Sequence, residues 1–178
     1  MRTDVPNVSF MTRVPDSTTV CNENGTSYTW ENVTTESLFK GKKTLLFSLP
    51  GAFTPTCSTF QLPGFEAMYP QFRDAGVDEI YCMSVNDSFV MNAWAKANSL
   101  ENVKVLPDGS GQFTRQMGML VNKDNIGFGQ RSWRYAVLID DMEVVQSWVE
   151  PGYQDNANDD PYGETAPKNI LDTMVPWL

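Results

Sequence analysis

Hydrophobic and polar positions alternate twice near the start of the chain, in "VSFMTRV" (8–14) and "TSYTWENV" (26–33), on either side of the polar turn "CNENG". Period-two alternation about a turn predicts a short antiparallel pair, an N-terminal β extension. "ESLFKGKK" reads as a brief helix leading into the apolar strand "KTLLFSLP", after which a helix containing Cys57 runs as far as Gly76. The strand "DEIYCMSV", the helix "SFVMNAWAKANS", the short strand "VKVLPD" and a helix near "GQFTRQMG" follow. "RYAVLIDDMEVVQSWVE" predicts two strands about a turn at Asp140–Asp141, and "APKNILDTMVPWL" a closing helix. Between them "PGYQDNANDDPYGET" is acidic and rich in Pro, Gly and Asn, and is expected to be a solvent-exposed loop. Strands alternating with helices, then a hairpin and a helix, imply an α/β architecture with a central mixed sheet flanked by helices.

That layout is thioredoxin-like, and the composition agrees with one such unit. A chain of 178 residues with 41% hydrophobic positions can fill a sizeable core, so residues 1–178 are expected to form a single domain. The net charge of -9, with no local Lys/Arg cluster, argues against nucleic acid and acidic membranes as partners. "MRTDVPNVSF" lacks the apolar core of a signal peptide, and no apolar run approaches the roughly 20 residues of a spanning helix, so the expected location is cytoplasmic. Cys21, Cys57 and Cys82 show neither metal-ligand nor disulfide-framework spacing, which fits a reducing compartment. In such a compartment the sequons at Asn7, Asn24, Asn32 and Asn86 carry no weight. A calcium loop in frame from Asn156 fails because Pro161 stands where the turn needs glycine, so no metal site and no cofactor are expected. The chain has no histidine, which removes Ser-His-Asp and Cys-His catalysis and any imidazole base.

What chemistry remains centres on "SLPGAFTPTCSTFQLPGF" (48–65). A lone cysteine is more often a small buried hydrophobe than a nucleophile. Here, however, Thr54 is a good N-cap and Pro55 suits the first helical position, which puts Cys57 in the first turn, near free N–H groups. A thiol of ordinary pKa, about 8.5, is only about 3% ionised at neutral pH, and 90% ionisation needs about 3.4 kcal/mol. A helix end gives about 0.3–1 kcal/mol, so a cation is required. An arginine about 4 Å away supplies roughly 4 kcal/mol before desolvation, at an effective dielectric near 20. Arg134, just before the apolar run "YAVLI", either snorkels at a strand end or reaches the pocket above Cys57. Arg131 either orients Arg134 or is solvated.

"PGAFTPTCS" fits the pattern Pro-x-x-x-Thr-x-x-Cys of peroxiredoxins, and with "LPGF" after it resembles their type-5 subfamily. The resemblance continues through "CMSVNDSFVMNAW", "VLPDGSGQFTRQMGML", "GFGQRSWRYAVLIDD" and "VEPG", nearly the whole chain from about residue 5. It is similar above all to the peroxiredoxin half of bacterial hybrids that carry a fused glutaredoxin domain. The resemblance implies a thiol peroxidase in which Cys57 attacks hydrogen peroxide or an alkyl hydroperoxide and becomes a sulfenic acid. It also implies that Thr54 hydrogen-bonds thiolate and peroxide, Pro50 shields the pocket, Arg134 holds the negative charge, and Gly51, Phe53 and Gln61 line the substrate pocket. O–O cleavage needs a thiolate and aimed donors, not a histidine.

Two departures bear on mechanism. Gln61 stands where most relatives have histidine, and "EPGYQDNANDDPYGETAPKN" lacks the second cysteine that some type-5 members use. Cys82 reads as core and Cys21 as a turn cysteine unrelated to the mechanism. A one-cysteine cycle is therefore expected, with glutathione and a separate glutaredoxin favoured as reductant over thioredoxin. The "NDSFVMNAWAKANS" helix and the "PGAF" turn resemble segments that pair in type-5 homodimers, although Phe89 and Trp94 could equally be core. A CxxC oxidoreductase is excluded by Thr54 at the first position, and a holdase with an inert cysteine is the remaining alternative.

Overall fold

The computed structural model describes residues 3–16 and 27–176. Its first feature is the expected antiparallel pair, β1 (Ser9–Asp16) and β2 (Ser27–Thr34), paired in continuous register from Ser9 opposite Thr34 to Asp16 opposite Ser27. Helix α1 (Thr35–Phe39) follows at once, because the Thr34 hydroxyl accepts from Ser37 N while Ser37 Oγ accepts from Thr34 N.

The central sheet comprises β3 (Lys43–Ser48), β4 (Glu79–Ser84), β5 (Lys104–Pro107), β8 (Tyr135–Asp140) and β9 (Glu143–Val149), in the order β5-β4-β3-β8-β9. β3, β4 and β5 run parallel, whereas β8 and β9 are antiparallel to their neighbours, so the sheet is mixed. The three central strands are apolar without interruption because both faces are covered. On one face Leu46, Tyr81, Met83, Val137 and Ile139 pack with Phe10 of β1, Phe39 of α1, and Phe113 and Met117 at α5 (Gln112–Gln116). The alternate residues Leu45, Phe47, Ile80, Cys82, Ala136 and Leu138 face Phe65, Phe72, Met91, Trp94 and Ile170. Those five come from α2 (Leu62–Ala67), α3 (Tyr69–Asp74), α4 (Ser88–Ala97) and α6 (Pro167–Thr173).

Three local outcomes differ from the sequence reading. The single helix expected from Cys57 to Gly76 is instead a π-helical turn (Cys57–Gln61) followed by α2 and α3. Pro63 and Pro70 explain the breaks: each lacks an N–H and crowds the carbonyl four residues earlier. Leu62 N–H accordingly reaches back five residues to the Cys57 carbonyl. The β8–β9 turn lies one residue later than expected, at Asp141 and Met142, both with positive φ. A small pair not anticipated, β6 (Leu120–Asn122) with β7 (Gln130–Ser132), lies before β8.

Candidate active site

β3 and β8 run antiparallel with Ser48 opposite Tyr135, so the chain leaving β3 and the residue entering β8 emerge side by side. This register brings Cys57 and Arg134, 77 residues apart, into contact. Beyond β3 the chain turns sharply at Gly51. Thr54 N and Thr54 Oγ1 both donate to the Gly51 carbonyl, at 3.4 and 2.7 Å. The hydroxyl proton is thereby committed, and Thr54 neither caps the helix with its side chain nor bonds the sulfur, contrary to expectation. Its lone pairs remain available to accept. Pro55 begins the helical backbone, Ser58 N closes on Thr54 O, and Cys57 is fully buried.

Arg134 does not snorkel; it is 1% exposed. Its Nη1 donates to Cys57 Sγ at 3.4 Å and to Gln61 Oε1 at 2.5 Å, its Nη2 to Asp160 Oδ1 at 2.5 Å, and its Nε to the Pro161 carbonyl at 3.1 Å. Burial pulls the guanidinium pKa down, but the Cys57 and Asp160 charges more than offset this, so the net direction is upward and the cation is secure. Gln61, also fully buried, accepts from Arg134 and passes its amide hydrogen to Thr165 Oγ1 at 3.2 Å. The histidine position thus holds a neutral amide that cannot lose its bond by titration.

Arg131 neither orients Arg134 nor is free in solvent. Its Nε donates to Phe128 O and its Nη1 to the Pro50 carbonyl, and it lies against Gly51, where an added Cβ would come within 2.8 Å of Nη1. A side chain at this position would have to displace the end of the Arg131 side chain. Phe53, with φ 62°, is 56% exposed and stands outside the lining of the neighbouring cavity. That cavity, of about 300 Å³, is walled by Pro50, Thr54, Pro55, Lys123, Ile126 and Phe128 among others. A larger open depression at the other end of the sheet, near Lys42, Arg73 and Asp78, is lined by no cysteine. The acidic loop is exposed along most of its length, as expected, but Asp160, Pro161 and Thr165 turn inward to the site. Sequence reading missed these three; the only signal was their position after "VEPG".

Cys82 sits on β4 in the core, its pKa pushed well up by burial, with the Cys57 charge adding to the effect. Cys21 lies outside the described residues. Among the described residues no His/Cys/Asp/Glu group could hold a metal, and no helix is long and apolar enough to cross a membrane.

The Redoxin family model matches residues 8–163. A peroxiredoxin of Rhizobium etli is 58% identical over 172 residues, 96% of this chain and 94% of that protein. The chain belongs to the peroxiredoxins. It is therefore a thiol peroxidase, an oxidoreductase that acts on peroxides with electrons from thiols. This peroxiredoxin is also similar to the hybrid peroxiredoxin of Haemophilus influenzae, 44% identical over 97% of this chain and 65% of the hybrid. Among solved structures, the Plasmodium falciparum antioxidant protein, a 1-Cys peroxiredoxin, superposes with a TM-score of 0.87 at 36% identity, covering 95% of this chain and 96% of that one.

Proposed function

We propose that Cys57 is the peroxidatic nucleophile of a one-cysteine cycle resolved by glutathione with glutaredoxin. The observation that carries this reading is the fully buried Arg134 guanidinium, donating to Cys57 Sγ at 3.4 Å beside a cavity walled by Pro50 and Thr54. The thiolate attacks the terminal peroxide oxygen; an S–O bond forms, the O–O bond breaks, and the leaving oxygen takes a proton to depart as water or an alcohol. Four of the five Arg134 N–H groups have partners among the described residues, and the remaining Nη2–H is the donor for the peroxide oxygens. Thr54, its proton on Gly51 O, accepts the hydroperoxide proton and fixes the attack line. Pro50 keeps water out.

Glutathione then displaces hydroxide from the sulfenic acid to leave a mixed disulfide and water, and a second thiol, delivered by glutaredoxin, releases Cys57. Support for an external thiol comes from the core burial of Cys82, the loop after Glu150 that lacks cysteine, and the likeness to the hybrid. A thiol-consuming cycle suits the cytoplasm. We take residues 1–178 as one domain that works as a homodimer, with Phe53, Phe60 and Phe89, all more than half exposed, at the contact. Trp94 is core, not interface: it is fully buried and bonds Ser58 Oγ.

The deciding measurement is the initial rate of peroxide consumption by pre-reduced protein with glutathione and glutaredoxin, for wild type and Cys57→Ser. Sustained turnover abolished in Cys57→Ser is expected. Turnover retained by the variant would remove Cys57 from the chemistry, and one equivalent followed by arrest would make glutathione the wrong donor.

A further inference from the structure

We propose that Glu150 is a positioning residue for the Cys57–Arg134 pair, acting through Thr165 and Gln61; the inference rests on the peroxidatic role proposed for Cys57. Glu150 follows β9, its N–H donates to the Arg134 carbonyl, and it is 2% exposed. Among the described residues no lysine or arginine pairs with its carboxylate. Instead one oxygen, Oε1, accepts from Gly163 N at 2.9 Å, Thr165 N at 2.8 Å and Thr165 Oγ1 at 2.7 Å. A carboxylate buried without a cation is costly to keep, and replacing it with an apolar residue is often neutral or stabilising for a fold. Its retention here calls for a task that an apolar residue cannot perform.

The direction of the hydrogen bonds supplies that task. Arginine has no acceptor, so the Gln61 group facing Arg134 must be its carbonyl oxygen. The Gln61 amide nitrogen therefore faces Thr165 and donates to Oγ1. With Thr165 Oγ1 accepting, its own proton has one place to go, the Glu150 carboxylate. The chain Arg134–Gln61–Thr165–Glu150 thus runs one way from cation to anion, and each bond polarises the next. Only a group that accepts at the far end allows this; a donor there would leave the Thr165 hydroxyl proton without its acceptor. The same carboxylate anchors Gly163 and Thr165, hence the loop whose Asp160 and Pro161 hold the other side of the guanidinium. Glu150 touches neither sulfur nor peroxide, yet two routes from it end on Arg134.

The test uses Thr165→Val, which cuts the chain while keeping size and the backbone bond to Glu150, Thr165→Ser, which restores the hydroxyl, and Glu150→Leu, which removes the accepting oxygen. The readouts are the single-turnover rate of sulfenic acid formation with hydrogen peroxide, the ultraviolet absorbance of the thiolate at neutral pH, and thermal melting. Thr165→Val is expected to slow peroxide reduction about tenfold to a hundredfold and to lower thiolate absorbance, because a misplaced guanidinium serves both states poorly. Thr165→Ser should stay within about twofold of wild type, and Glu150→Leu should move both readouts in the same direction as Thr165→Val. Wild-type behaviour of Thr165→Val overturns the proposal, as does Thr165→Ser being equally impaired, since the methyl group and not the hydroxyl would then matter. If Thr165→Val does not fold, Glu150→Leu decides alone: wild-type rate and thiolate content overturn the proposal. Should wild type form no sulfenic acid, the peroxidatic reading fails, while the thiolate absorbance of Thr165→Val against Thr165→Ser still reports whether Glu150 places the guanidinium.

Discussion

Arginine at position 134 presents its donors on one rigid plane, and the site uses that plane on three sides: Cys57 and Gln61, Asp160, and the Pro161 carbonyl. Lysine would keep the charge but has a single nitrogen on a flexible stem, so it cannot serve sulfur, amide, carboxylate and carbonyl from one fixed pose. Arg134→Lys is therefore expected to slow sulfenic acid formation about a hundredfold, the scale of a misplacement near 1 Å, while the residual charge keeps some thiolate. Stopped-flow peroxide consumption by pre-reduced protein measures this. A lysine variant within about threefold of wild type would show that charge alone suffices and that the fork geometry is incidental. The same geometry explains why Arg134 was legible as a candidate and its supports on the far side were not. A buried run after an arginine is visible in sequence, and Gln61 is picked out there by the resemblance, whereas Asp160 and Pro161 are brought to the arginine from 26 and 27 residues away by the fold alone.

The elements that carry these residues depend on a second carboxylate, the partly buried Glu66 of α2. Its oxygens accept from Glu101 N, Asn102 N, Asn102 Nδ2 and Val103 N, tying the helix after the π turn to the segment that enters β5. Burial raises its pKa, but these four N–H bonds outweigh it and hold the carboxyl below its ordinary value. A depressed folded-state pKa means that the unfolded chain binds the proton more readily, so stability from Glu66 is complete above the ordinary carboxylate range. It is lost as pH falls through the folded value. Glu66→Gln, with one acceptor oxygen and an amide that repels N–H donors, is expected to cost about 1 kcal/mol at neutral pH. Urea unfolding at neutral pH and below about pH 4 checks the sign: the gap between wild type and variant should narrow in acid. A gap that widens in acid would refute the linkage. At this scale the strands were legible because both faces of the sheet are covered, which leaves uninterrupted apolar runs. The π turn was not, since Pro63 reads equally as a helix start, and the three-residue β6 and β7 are too short to show a period.

Across the whole molecule the net charge of -9 opposes self-association, yet Phe53, Phe60 and Phe89 expose more than half of their surface. Two links tie together the segments that carry them: Ala52 N donates to Asn86 Oδ1 just before α4, and Trp94 Nε1 of α4 donates to Ser58 Oγ in the π turn. Phe53 is held at a positive φ that a bulky residue adopts at a cost of roughly 1–3 kcal/mol, strain of the kind found at functional contacts. Beside them Trp30 meets Phe89 edge-on with Arg13 over both rings, so the aromatic surface extends onto the N-terminal β pair. Exposed aromatics gathered in this way favour an apolar contact between two copies. The charge fixes how that contact should respond to salt. Two chains of like sign repel, salt screens the repulsion beyond about 10 Å at 0.1 M, and apolar burial is not weakened, so association should strengthen as salt is added. Light scattering at micromolar protein is expected to give a dimer for wild type and a monomer for Phe89→Glu, with the wild-type midpoint moving to lower concentration as salt rises. Wild-type monomer throughout would remove the dimer. A dimer that dissociates with salt would instead place ion pairs, and not the phenylalanines, at its contact.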